Sequence, residues 1–142
     1  MGKLVTDCSV SAGWYLPDEK SPEDVTLLRR ILEGHDSLFL PHLWWYENLN
    51  VLRSAVARGR ITRDGARQAI LALSKVPCEL LPTTRERRVL ICETAIETGI
   101  SAYDATYIVT ARECNARLVT ADRQLLQLKA HFDFLCSVDE II

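Results

Sequence analysis

The chain has 142 residues, 48% of them hydrophobic and 25% charged, with a net charge of -2, which suits one domain with a sizeable core. No apolar run approaches the roughly 18 residues needed to cross a bilayer. Lys3 and Asp7 interrupt the place where a secretory signal needs its apolar stretch. A single cytoplasmic domain over residues 1–142, without a membrane partner, is therefore expected.

In chain order, KLVT (3–6) reads as a short buried strand. Ser21-Pro22-Glu23 then starts a helix with a serine cap, a proline in the first turn and an acid behind it. Val25, Leu28, Ile31 and Leu32 give that helix its apolar stripe, and Gly34 closes it. SLFL (37–40) is a second strand, stopped by Pro41. Trp45, Leu49, Leu52 and Val56 have helical spacing over 42–57, and Ala66, Ile70 and Leu73 over 63–74. CELL (78–81) is a third strand. Thr84 caps a helix that runs to Thr98 and breaks at Gly99. Ser101 caps the next, RLVT (117–120) is a fourth strand, a helix follows Asp122, and FLCSV (134–138) is a fifth strand. Strands separated by helices imply α/β layering around a mostly parallel sheet.

That arrangement has a chemical consequence, because sites in parallel sheets lie beyond the carboxyl ends of the strands. Asp7 follows the first strand and Asp122 the fourth, so both face one edge. Asp104 lies in the first turn of the helix leading into the fourth strand, and Glu47 near the start of the helix after the second. Taken singly, each has a plain structural use: Asp7 in a turn with Ser9, Asp104 in a capping box with Ser101, Asp122 as a helix cap, Glu47 on a solvated face. Together, four carboxylates at one edge repel each other unless a cation neutralises them. Oxygen donors suit a hard divalent ion, Mg²⁺ or Mn²⁺. Such a site can hold a phosphodiester, activate a water and stabilise the leaving oxygen. No GxxxxGK[ST] or GxGxxG loop points to nucleotide-driven chemistry.

From Arg53 to Arg88 nine basic residues meet three acids, a local balance of +6 that leaves -8 for the rest. This stretch could track an RNA backbone, with Arg85, Arg87 and Arg88 as phosphate-holding candidates, or it could be solvated helix face. Trp45 is read as core; Trp44, on another face, as a surface for a partner or a base. The five cysteines show no Cys-x-x-Cys spacing and read as buried, reduced thiols.

LVTDCSVSAGWYLPDE resembles the opening of a PIN-domain ribonuclease, of the kind found as VapC toxins in bacterial VapBC toxin–antitoxin pairs. LPHLWWYENLNVL resembles that family's second block, and GISAYDATYIVTARECNARLVTADRQLL its third. The resemblance spans nearly the whole chain in order. It implies a three-layer α/β/α fold with about five strands, including an apolar helix directly after the first aspartate. It also implies that Asp7, Glu47, Asp104 and Asp122 are the catalytic, metal-binding acids. Ser9 and Thr120 would supply supporting hydroxyls, and Asn50 a polar group behind them. The implied activity is Mg²⁺- or Mn²⁺-dependent RNA hydrolysis leaving 5′-phosphate and 3′-hydroxyl ends. The implied partners are RNA, a second copy in a homodimer, and a small antitoxin whose C-terminal segment blocks the groove. Cys8 departs from the pattern, where alanine or threonine is usual. Two rivals differ in kind: a catalytically idle PIN fold serving as a binding or regulatory module, and a receiver-like switch, which lacks its strand-end lysine here.

Overall fold

The computed structural model describes residues 2–142. Five strands, β1 (Gly2–Thr6), β2 (Asp36–Pro41), β3 (Glu79–Leu81), β4 (Arg117–Val119) and β5 (Leu135–Cys136), form one sheet. Their order is β3-β2-β1-β4-β5, and every neighbouring pair is parallel. Parallel neighbours cannot be joined by a tight turn, so each connection leaves the sheet through helices. Helices α1 (Cys8–Tyr15) and α2 (Pro22–Leu32) join β1 to β2, and α3 (Leu43–Ala57) and α4 (Arg63–Leu73) join β2 to β3. Helices α5 (Arg85–Thr98) and α6 (Ala102–Glu113) lead to β4, α7 (Arg123–Leu126) precedes β5, and a 3-10 turn covers Val138–Glu140. The expected α/β layering is present, as an α/β/α arrangement. Among the described residues no helix is long and apolar enough to cross a membrane.

Local chemistry sets most of these boundaries. The side chains of Ser21, Thr62, Thr84 and Ser101 each accept a backbone N–H of the helix they precede. Gly99 ends α5 in the left-handed region at φ 76°. Leu4 and Val5, which point to opposite faces of β1, are both buried, as a parallel sheet covered on both sides requires. Helix α6 lies against β2, β1 and β4 with α5 packed on it, while α1 packs on α2 and α3. A Cβ at Gly13 would collide with the Asp24 carboxylate, so the approach of α1 to α2 needs a glycine there. Both edge strands are short, three residues in β3 and two in β5, which limits edge-to-edge pairing.

Several expectations need correction. The third strand begins at Glu79 rather than Cys78, and the fifth is only Leu135–Cys136, with Val138 in the following turn. In α3 the buried stripe is Trp44, Asn48, Leu52 and Ala55, one residue out of phase with the apolar spacing. Trp44, like Trp14, is therefore a core tryptophan, edge-on to Trp45 at 5.2 Å and 6.5 Å from Trp14. Trp45 is half-buried against the same core, and Leu49 is exposed. Of the cysteines only Cys136 is buried; Cys78 and Cys92 are exposed, and all five are free thiols.

The phase of α3 is explained by Asn48, which is fully buried. Its Oδ1 accepts from Ser11 Oγ at 2.8 Å and from Tyr15 Oη at 2.7 Å, and its Nδ2 donates to the Trp44 carbonyl at 2.8 Å. Ser11 Oγ also lies 3.2 Å from the Asp7 carbonyl. This polar seam holds α1 to α3, and with it the start of α1 at Asp7. Replacing Asn48 by Ala strands two hydroxyls of α1, and a loss of about 2 kcal/mol is expected. Urea unfolding should show it as a lower midpoint with an unchanged slope.

Candidate active site at the carboxyl edge of the sheet

The chain winds outward from β1 to β2 and β3, then returns to β4 on the other side of β1. The order of the sheet therefore switches between β1 and β4, where α/β folds open a crevice at the carboxyl ends. Asp7 is the first residue beyond β1 and is only 5% exposed. It caps α1: Oδ1 accepts from Ser9 N at 3.1 Å and from the Ser9 hydroxyl. Its Oδ2 accepts from Thr120 Oγ1, just past β4, at 2.5 Å. Ser9 Oγ in turn lies 3.3 Å from Thr120 Oγ1 and accepts from Ala121 N at 2.8 Å. Thr120 Oγ1 also accepts from Asp122 N at 3.0 Å. The two hydroxyls thus sew the β1 and β4 ends together around one carboxylate.

The remaining acids approach from three helices. Asp122 caps α7, its Oδ1 accepting from Gln124 N at 2.8 Å and Leu125 N at 3.4 Å. Asp104 stands in the first turn of α6, its N–H bonded to Ser101 Oγ at 3.1 Å. Glu47 projects from the second turn of α3, and its Oε1 accepts from the Tyr107 hydroxyl of α6.

Asp7, Asp104 and Glu47 are each raised by burial and by the charge of a neighbouring acid. Burial pushes Asp7 up to about 6, with the charge of Asp122 adding to the rise and the bonds from Ser9 and Thr120 opposing it. Burial raises Asp104 as well, helped by Asp122. Glu47 rises through burial and the charge of Asp104, against the bond from Tyr107. The Cys8 thiol is pushed up to about 12, first by burial and then by Glu47 and Asp7. It stays protonated and is no nucleophile.

Asp7 and Asp122 stand just past the paired strands β1 and β4, Asp104 and Glu47 lie on α6 and α3, and Ser9 and Thr120 are in direct contact with Asp7. Asn50 is not part of that contact set. It lies exposed beside a shallow recess bordered by Cys8, Ser9, Val51, Ser54 and Arg60, and the buried polar residue of α3 is its neighbour Asn48. Arg85 and Arg88 are exposed on α5, while Arg87 is held by Glu113 and donates to the Pro82 carbonyl at 2.8 Å. Two contributors, Asn48 and Tyr107, were not singled out from sequence as site residues. Asn48 could have been found as the polar member of the 44-48-52-55 stripe. Tyr107 is three residues after Asp104 and so on its face of α6.

The donor set fits a hard cation: oxygen ligands only, with raised carboxyls that a positive charge would relieve. Among the described residues no three His, Cys, Asp or Glu side chains form a closed metal-holding group.

The family model of the PIN domain matches residues 5–130. Ribonuclease VapC3 of Pyrobaculum aerophilum is 30% identical over 127 residues, which cover 88% of this chain and 93% of that protein. Among solved structures, PAE2754 from Pyrobaculum aerophilum superposes with a TM-score of 0.74 at 22% identity, covering 99% of this chain and 86% of that one. VapBC2 from Rickettsia felis, bound to a DNA fragment from its promoter, gives 0.68 at 12% identity, with 95% and 98% covered. These superpositions cover 95% or more of this chain, and the family match runs from β1 through α7. The chain belongs to the PIN-domain family, among its VapC-like members.

Proposed function

We propose that this protein is a Mg²⁺- or Mn²⁺-dependent endoribonuclease, the toxin of a toxin–antitoxin pair, acting in the cytoplasm. The observation that carries the reading is Asp7: a carboxylate 5% exposed, gripped by Ser9 and Thr120 at the switch point and feeling the charge of Asp122. The similarity to ribonuclease VapC3 supports the same reaction class.

Asp7, Glu47, Asp104 and Asp122 would hold the cation, which when bound supplies charge neutralisation for the phosphodiester and acidifies an attacking water. Ser9 and Thr120 orient Asp7 through both of its oxygens, and Asp122, fixed as a helix cap through Oδ1, would keep its second oxygen for the cation. A carboxylate of the set accepts a proton from the water. The water oxygen bonds to phosphorus as the P–O3′ bond breaks, and the 3′ oxygen leaves as a hydroxyl once protonated. Arg85 and Arg88, exposed on α5, are proposed to hold flanking phosphates.

A small antitoxin is proposed as the partner that occludes the crevice, in keeping with the toxin–antitoxin complex from Klebsiella pneumoniae that shares this fold. A homodimer is proposed through the α5–α6 face. Val89, Ile96 and Tyr103 are exposed there, beside a groove of about 550 Å³ lined by Leu43, Ile91 and Ala95. Changing Ile96 to Asp should shift the protein from the mass of two chains to one in light scattering. A wild-type monomer removes the dimer from the proposal.

Asp7 to Asn should abolish cleavage of RNA in Mn²⁺ while leaving the fold intact, and EDTA should silence the wild type. Undiminished cleavage by the variant sinks the assignment of Asp7. Wild-type cleavage in EDTA sinks the metal, and no cleavage of cellular RNA with Mn²⁺ favours the binding-module rival. The same variant should be more stable than wild type in EDTA at neutral pH. Folding raises Asp7 from 3.8 to about 6, so its protonated form is favoured by the fold. The associated stability is present below about 3.8 and lost as pH rises through about 6. The gap amounts to roughly 3 kcal/mol at pH 7.5, and the advantage of the variant in thermal melts should shrink towards pH 4.

A further inference from the structure

We propose that Tyr107 is the positioning residue for Glu47: its hydroxyl holds Oε1 and leaves Oε2 as the one oxygen Glu47 offers a divalent cation. This rests on reading the four acids as the cation site. The aspartates are short and locally anchored. Asp7 and Asp122 accept backbone N–H groups as helix caps, and Asp104 is tied to Ser101. Glu47 is longer by a methylene, half-buried and without a backbone partner. The bond from Tyr107, sixty residues away in sequence, is the hydrogen bond that fixes its carboxylate.

Tyr107 is itself an unusual choice for its position. It is 1% exposed, inside the core beside Ile108 and Ala111, where phenylalanine would fill the same space without desolvating a hydroxyl. The hydroxyl has Glu47 as its partner. Tyr107 also sits one helical turn after Asp104 on α6, which is braced against β1, β2 and β4. One rigid helix thus carries one candidate ligand and the anchor of another. The carboxylate of α3 is set with reference to α6 rather than by α3 alone. Outer partners of metal ligands typically tune affinity ten- to a hundredfold.

Mn²⁺ binding to the full-length protein, read from the EPR signal of the free ion, tests this without RNA. Wild type should bind, and Tyr107→Phe should bind at least ten times more weakly. Glu47→Asp keeps the carboxylate but withdraws it from the hydroxyl, so it should weaken binding with Tyr107 intact. Adding Tyr107→Phe to Glu47→Asp should then change nothing further. Tyr107→Phe binding as tightly as wild type overturns the inference while the site reading stands. An equal loss from Tyr107→Phe in both backgrounds also overturns it, since that marks a general packing defect. If Tyr107→Phe does not fold, Glu47→Asp decides: wild-type affinity there overturns the proposal. A wild type that binds no Mn²⁺ overturns both this inference and the cation site.

Discussion

The 2.5 Å hydrogen bond from Thr120 to Asp7 is the contact on which the site depends. It joins the ends of the two strands between which the sheet reverses its order, β1 at the centre and β4 beside it. Because Thr120 also receives the N–H of Asp122, one hydroxyl sets the position of two acids. Ser9 repeats the arrangement from the other side, donating to Asp7 and receiving the N–H of Ala121. The crevice is thus closed by side chains that the parallel pairing of β1 and β4 brings into register, and α1 and α7 both start from it.

This arrangement works against stability. Desolvating Asp7 beside the charge of Asp122 leaves a fold that would be easier to maintain with the carboxyl protonated. The surrounding contacts offset that strain locally: two hydroxyls and one N–H on Asp7, two N–H groups on Asp122, one phenol on Glu47. Below them, the Asn48 seam holds α1 against α3 with neutral hydrogen bonds, which remain unaffected by the charge state of the edge. The edge carries the candidate site and the seam beneath it carries the geometry.

What was legible in the sequence follows the range of the interactions. Caps act within three residues, so Ser21, Thr84, Ser101 and Asp122 marked their helices correctly. Strand ends followed from apolar runs stopped by Pro41, Pro82 or an acid. The shared carboxyl edge of Asp7 and Asp122 was legible because the strands they follow run parallel and side by side. The phase of α3 was not, since hydrophobic spacing favours Trp45 and Leu49 and passes over a buried asparagine whose partners lie 37 and 33 residues away. Helix α1 was also invisible to a reading by periodicity. Its residues 10 to 14 are buried on every side, so it has no polar face to reveal a 3.6-residue repeat, and only the family pattern exposed it. Arg87 looked like a phosphate ligand for a related reason, as its ion pair with Glu113 joins two helices and leaves no local trace.

The double duty of Asp7 and Asp122 bears on how relatives of this chain should be judged. Each starts a helix, so a descendant that had abandoned cleavage would still be held to an aspartate, or a similar cap, at both places by the demands of folding. Glu47 has no such second employment: it caps nothing, and its single bond is to a phenol that phenylalanine could replace. In a lineage drifting from enzyme to binding module, the glutamate of α3 and its tyrosine would be the first to go, and the aspartates the last. The state of that pair, rather than the count of acids, is the mark by which a working site can be told from its fossil.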